Sequence, residues 1–120
     1  MTMDPSFSCD LGVLTAQQRH RHGELSKKLR PMVIVFRELS NGYAAVIRSP
    51  ERLDAEIEEF MVLERLCCPF FTLKLQIENR RENEDRMYNL EITGPGDIKP
   101  FIQAEFGISQ KEIPLNNALH

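Results

Sequence analysis

At Pro69 the hydrophobic period of the chain changes. Before it, Leu53, Ile57, Phe60, Glu64 and Cys67 step by four, three, four and three residues, which puts all five on one face of a helix. After it, Phe71, Leu73, Leu75 and Ile77 alternate with Thr72, Lys74, Gln76 and Glu78, the pattern of a half-buried strand. Proline drives the residue before it out of the helical region, so the helix is expected to end at Cys67. Ser49 and Pro50 read as its start, with serine as cap and proline at the first position, where its missing N–H would be unpaired anyway.

The remaining elements follow from the same reasoning. Thr15-Ala16-Gln17-Gln18 has the spacing of a capping box and predicts a helix from about Ala16 to before Pro31, with His22, Leu25 and Leu29 on one face. Met32 to Leu39 is rich in β-branched residues and reads as a strand. Asn41-Gly42 predicts a type I′ hairpin that pairs Ser40 with Tyr43 and sets Phe36 opposite Ile47, with Tyr43 to Arg48 returning. Asn79 to Arg86 carries both signs of charge and no apolar residue, as a solvated loop does. Met87 to Thr93 is a strand with Tyr88, Leu90 and Ile92 inward. Gly94 to Asp97 is a turn into a last helix, with Asp97 as cap, Ile98, Phe101, Ile102 and Phe106 as its apolar face, and Gly107 at its end.

The order is helix-ββα-ββα. It predicts an α+β two-layer sandwich, an antiparallel four-stranded sheet with helices packed on it. Residues 1–107 form one domain that opens with an irregular arm, 1–14, and residues 108–120 form a tail. A net charge of −3 gives no reason to expect nucleic-acid binding. No apolar run nears the ~20 residues that span a bilayer. The first residues lack the basic start and apolar stretch of a secretory signal, so a cytoplasmic location is expected. Three cysteines, two of them adjacent, suggest no disulfide framework.

The chemistry gathers at Glu64, Cys67 and Cys68. Glu64 falls inside the apolar stripe, where a carboxylate must be paired, protonated or bound to a cation. The two thiols lie three and four residues on, so all three side chains can approach one point. Adjacent Cα atoms are only ~3.8 Å apart. A disulfide usually spans roughly 4.4–6.8 Å, so free thiols are expected. Thiolates with a carboxylate suit zinc or another thiophilic metal, and no other cofactor is implied. Cys9 becomes a third ligand if the arm folds over the helix end. His20 and His22 face different ways, so only one of them can serve as a distant further ligand. The plain reading of both is a solvated helix face with Arg19 and Arg21.

Two other readings compete. In one, the cysteines only pack, as buried thiols commonly do, and Glu64 finds a protein partner such as an arginine. In the other, the protein is a thiol redox or transfer enzyme. That needs a lowered thiol pKa, whereas a helix C-terminus acts the opposite way. Val62 and Leu66 sit on the helix side opposite Leu53, Ile57 and Phe60. The N-terminal helix offers few apolar residues to cover them, so a homodimer through Val62 and Leu66 is expected.

Glu64-Arg65-Leu66-Cys67-Cys68-Pro69-Phe70-Phe71, followed by Thr93-Gly94-Pro95, Lys99 and Phe101, resembles a set of small uncharacterised bacterial proteins. Those carry ERxCCPF, a strand pair and TGPxGxKxF, with a cysteine ahead of the first helix. Here the second piece reads TGPGDIKPF, with Gly96 one place early and Pro100 inserted. The resemblance spans Cys9 to Gly107. It implies that Cys9, Glu64, Cys67 and Cys68 belong together, and it implies no substrate.

Overall fold

The computed structural model describes residues 9–78 and 84–108. Residues 1–8 of the arm, 79–83 of the polar loop and 109–120 of the tail lie outside the described residues. Helix α1 (Ala16–Leu29) opens on the expected capping box. The Gln18 N–H donates to the Thr15 hydroxyl at 3.1 Å, and the Thr15 N–H donates to the Gln18 side chain at 2.8 Å. A 3-10 turn (Arg30–Met32) then takes Met32 out of the expected strand. β1 (Val33–Leu39), β2 (Gly42–Ser49), α2 (Asp54–Cys67), β3 (Thr72–Glu78), β4 (Arg86–Thr93) and α3 (Ile98–Phe106) follow. The fold is α+β, with one antiparallel sheet ordered β1-β2-β4-β3 and helices packed on it.

The first hairpin is displaced from its expected register. Leu39 pairs with Gly42, and Phe36 stands opposite Ala45 rather than Ile47. Neither Asn41 nor Gly42 has a positive φ, so no type I′ turn forms. Gly42 answers a different demand, because a Cβ there would run into the Ile92 carbonyl oxygen of β4. The Asn-Gly pair thus marks a close approach of two strands. An irregularity between Val33 and Val35 also shifts the ladder by one place, opposing Val33 to Ile47. Val33 and Phe36 therefore face the helices together, as a one-residue bulge allows.

The start of α2 differs too. Ser49 does not cap it. This serine is buried in β2, and its hydroxyl accepts from the Glu51 N–H at 3.0 Å, which holds the turn after the strand. Tyr88 of β4 sets the helix start instead. Its hydroxyl accepts from the Leu53 N–H at 2.8 Å and donates to the Asp54 carboxylate at 2.6 Å. A buried tyrosine that finds both a donor and an acceptor outweighs the local serine-proline signal.

The core lies between the sheet and the helices. Tyr43, Ala45 and Ile47 of β2 and Tyr88, Leu90 and Ile92 of β4 fill one side, with Ile57 of α2 and Ile98 and Ile102 of α3 opposite. Burial fades along the edge strand β3, where Leu73 is buried but Ile77 is 44% exposed. α3 ends as expected on Gly107, which takes the left-handed conformation at φ 65°. Asp97 precedes α3 but makes no side-chain capping bond. No helix among the described residues is long and apolar enough to cross a membrane.

Candidate metal centre

All five residues of the α2 stripe are buried: Leu53, Ile57, Phe60, Glu64 and Cys67. The helix ends at Cys67 as Pro69 requires, and the Cys68 N–H closes the last turn on the Glu64 carbonyl oxygen at 2.7 Å. The arm does fold over this end. The Asp10 N–H donates to the Cys67 carbonyl oxygen at 2.9 Å, which satisfies one of the carbonyls that a helix C-terminus leaves open. Just beyond, the Asp10 carboxylate accepts from the Gly12 N–H, and a 3-10 turn (Leu11–Val13) leads to the buried Leu14. These contacts place Cys9 against the corner.

The four expected residues are thus brought together. One ligand atom each from Cys9, Glu64, Cys67 and Cys68 lies within 4.8 Å of all the others, so the group can hold a metal ion. The Cys67 and Cys68 sulfurs are 3.9 Å apart. Zinc–sulfur bonds of about 2.3 Å at a tetrahedral angle give a sulfur–sulfur edge of roughly 3.8 Å. The vicinal pair already has that spacing.

One expectation is corrected here. Cys68 is not a free thiol, because it is bonded to Cys9 in a disulfide, and Cys67 alone is free. Cys67 and Cys68 are not bridged to each other, as their short Cα spacing implies. The expectation of free thiols fails at Cys68 because its partner stands 59 positions away in the sequence, out of reach of local spacing. The folded arm brings the Cys9 and Cys68 Cα atoms to 4.7 Å, inside the usual disulfide range. Burial, and then the Glu64 charge, push the Cys67 thiol up to about 11, the opposite direction from the lowered value of a reactive cysteine.

Glu64 has a partner that the residue pattern did not single out. His22 Nε2 lies 2.8 Å from Glu64 Oε1, and the side chains are 17% and 3% exposed. The imidazole also stacks on Phe60, with centroids 5.4 Å apart. α1 reaches α2 through two further pairs, Arg21 with Glu59 at 2.8 Å and Lys28 with Glu56 at 3.0 Å. His20 keeps the plain reading, exposed beside Glu24. The signal for His22 was present in the sequence. It shares a face with Leu25 and Leu29, both buried, and a histidine on one apolar face suits an acid on another. Glu64 Oε2 stays buried with no hydrogen-bond partner among the described residues. The packing reading asked for a protein partner and is half satisfied, since one oxygen is matched and the other is not.

Compared with protein-family models, with curated proteins and with solved structures, the chain shows no significant match.

Proposed function

We propose that the reduced protein binds one soft or borderline metal ion through the thiolates of Cys9, Cys67 and Cys68 and the carboxylate of Glu64. The observation that carries this reading is that a Glu64 carboxylate oxygen lies within 4.8 Å of three sulfurs while the buried Oε2 has no hydrogen-bond partner among the described residues. A native domain rarely leaves such an oxygen unmatched, and a cation beside it would match it. His22 then does for Glu64 what an outer partner does for many metal ligands. It occupies the second oxygen and fixes the orientation of the carboxylate.

The Cys9–Cys68 bridge is the oxidised form of the same cluster. Two electrons and two protons, delivered by a dithiol that is itself oxidised, turn it into two thiols. Metal binding then releases thiol protons to solvent. In the cytoplasm, the location expected for this chain, the reduced form is the working one.

The test is elemental analysis and titration of the reduced protein with zinc and copper(I). Wild type is expected to hold one equivalent. The Cys67→Ser/Cys68→Ser variant is expected to hold none. Equal stoichiometry in the two proteins overturns the reading.

The homodimer is proposed on a separate observation. Val62 and Leu66, one turn apart on α2, are 54% and 49% exposed, so α1 does not cover them. A second copy would bury both. Light scattering across a concentration series is expected to give a dimer for wild type and a monomer for Leu66→Glu. A wild type that remains monomeric at high concentration ends the idea.

A further inference from the structure

The solvent side of α2 carries a second stripe. Ala55, Glu58, Val62 and Leu66 step by three, four and four residues along it, and all of them are exposed. The arm extends this stripe. Leu11 follows Asp10 and Leu66 precedes Cys67, so the bond from the Asp10 N–H to the Cys67 carbonyl oxygen sets both leucines at one corner. Leu11 is 46% exposed and Val13 on the same 3-10 turn is 57% exposed. With Val62 and Leu66 they make an apolar patch built from two touching elements, of the kind that marks an interface.

The charges beside the patch suit a second copy. Glu58 and Arg65 are exposed on either side of Val62. A two-fold axis near Val62 runs two copies of α2 antiparallel, and each Glu58 then meets the Arg65 of the other copy. Leu66 and Leu11 of one copy reach Ala55 of the other. The face is complementary to itself in charge and in apolar contact.

Little besides the bridge holds the arm in place. No residue from Asp10 to Val13 is buried, so none of them anchors the arm in the core. Among the described residues, the Asp10–Cys67 bond is the one backbone hydrogen bond that ties this stretch to α2. Its other bonds, to the Asp10 carboxylate and within the 3-10 turn, are internal and would move with it. Fixing the backbone of these residues costs several times what one hydrogen bond returns net in water. The position of Leu11 and Val13 therefore depends on the bond between Cys9 and Cys68.

We propose, on the homodimer reading above, that this corner is a two-fold interface between copies, and that reduction of the Cys9–Cys68 bridge dismantles the arm half of it and weakens the dimer. With a small dithiol as reductant, a thiolate attacks the partly exposed Cys9 sulfur, the S–S bond breaks, and Cys68 leaves as a thiolate that takes a proton. The second thiolate of the reagent displaces Cys9 in the same way. Both cysteines end as thiols, reduced by two electrons, and the reagent ends as a cyclic disulfide.

Sedimentation of the full chain over a concentration series gives the dimer dissociation constant, with a chelator present so that no metal re-pins the sulfurs. Reduction, or Cys9→Ser without reductant, is expected to raise that constant by about tenfold or more, since two arms lose their contacts. Leu11→Ser is expected to weaken the oxidised dimer and to change the reduced protein little. Glu58→Lys and Arg65→Glu are each expected to weaken the oxidised dimer by about tenfold, because the two-fold counts each pair twice, and the double variant is expected to recover most of the loss. Circular dichroism confirms the fold of each form. An oxidised wild type that is monomeric removes the homodimer and this interface with it. A dimer that Leu66→Glu abolishes but that reduction, Cys9→Ser and Leu11→Ser leave unchanged keeps the homodimer and overturns the role of the arm. A double charge reversal as weak as the single variants overturns the two-fold arrangement.

Discussion

His22→Leu is expected to destabilise the domain by about 3 kcal/mol, near the lower end of the range for stripping one partner from a buried ion pair. The reason is what the substitution leaves behind. Glu64 is buried, and Oε1 would lose the one hydrogen bond described for its carboxylate. The lower end is chosen because the His22 side chain is 17% exposed and water partly screens the pair. Glu64→Met combined with His22→Leu should recover most of the loss, because apolar replacement of a whole buried pair is often neutral. Urea unfolding of the two single variants and the double variant forms the cycle. The pair also sets a pH dependence. The His22 pKa is raised, first by its hydrogen bond to Glu64, against the opposing effect of burial. A raised folded value stabilises fully below the ordinary value of 6.5 and is lost as pH climbs through the folded value. Wild-type stability should therefore fall across that window above pH 6.5, and His22→Leu should lack the slope. Identical slopes in the two proteins would remove the pair as the source.

Why His22 escaped the residue pattern while Glu64 did not is a matter of range. Glu64 breaks a stripe of five positions on its own helix, so local periodicity exposes it. His22 stands on a helix whose apolar face is only Leu25 and Leu29, and its meaning depends on which helix lies opposite. The same division runs through the fold. The periods of α2, β3 and β4, the capping box at Thr15 and the left-handed Gly107 are local and were legible. The start of α2, the role of Gly42 and the Cys9–Cys68 bridge were not. Each is decided by a group far away in the chain: Tyr88, the Ile92 carbonyl and the folded arm. A cavity of about 120 Å³ between the sheet and the helices was invisible for the same reason, since its walls come from both sheet hairpins and all three helices.

Reduction of the Cys9–Cys68 bridge should cost the apo protein about 4 kcal/mol, the chain-entropy value for a loop of this length. The two cysteines are 59 positions apart, so reduction frees half the chain in the unfolded state. The fall in melting temperature should be on the order of 15 °C. If the reduced sulfurs form a metal site, zinc must return part of that stability, because an ion bound only by the folded state stabilises it by mass action. At a free concentration of 100 times Kd the return is about 2.7 kcal/mol. Calorimetric melts of oxidised, reduced and reduced-plus-zinc protein should therefore fall in the order oxidised, zinc-bound, reduced. Cys67→Ser separates the two effects. It leaves the Cys9–Cys68 bridge intact, so the step between oxidised and reduced forms persists, while removal of one sulfur takes away most of the zinc step. Zinc that stabilises the oxidised protein as strongly as the reduced one is bound elsewhere. The bridge would then be the whole purpose of Cys9 and Cys68, and Glu64 would owe its place to His22 alone.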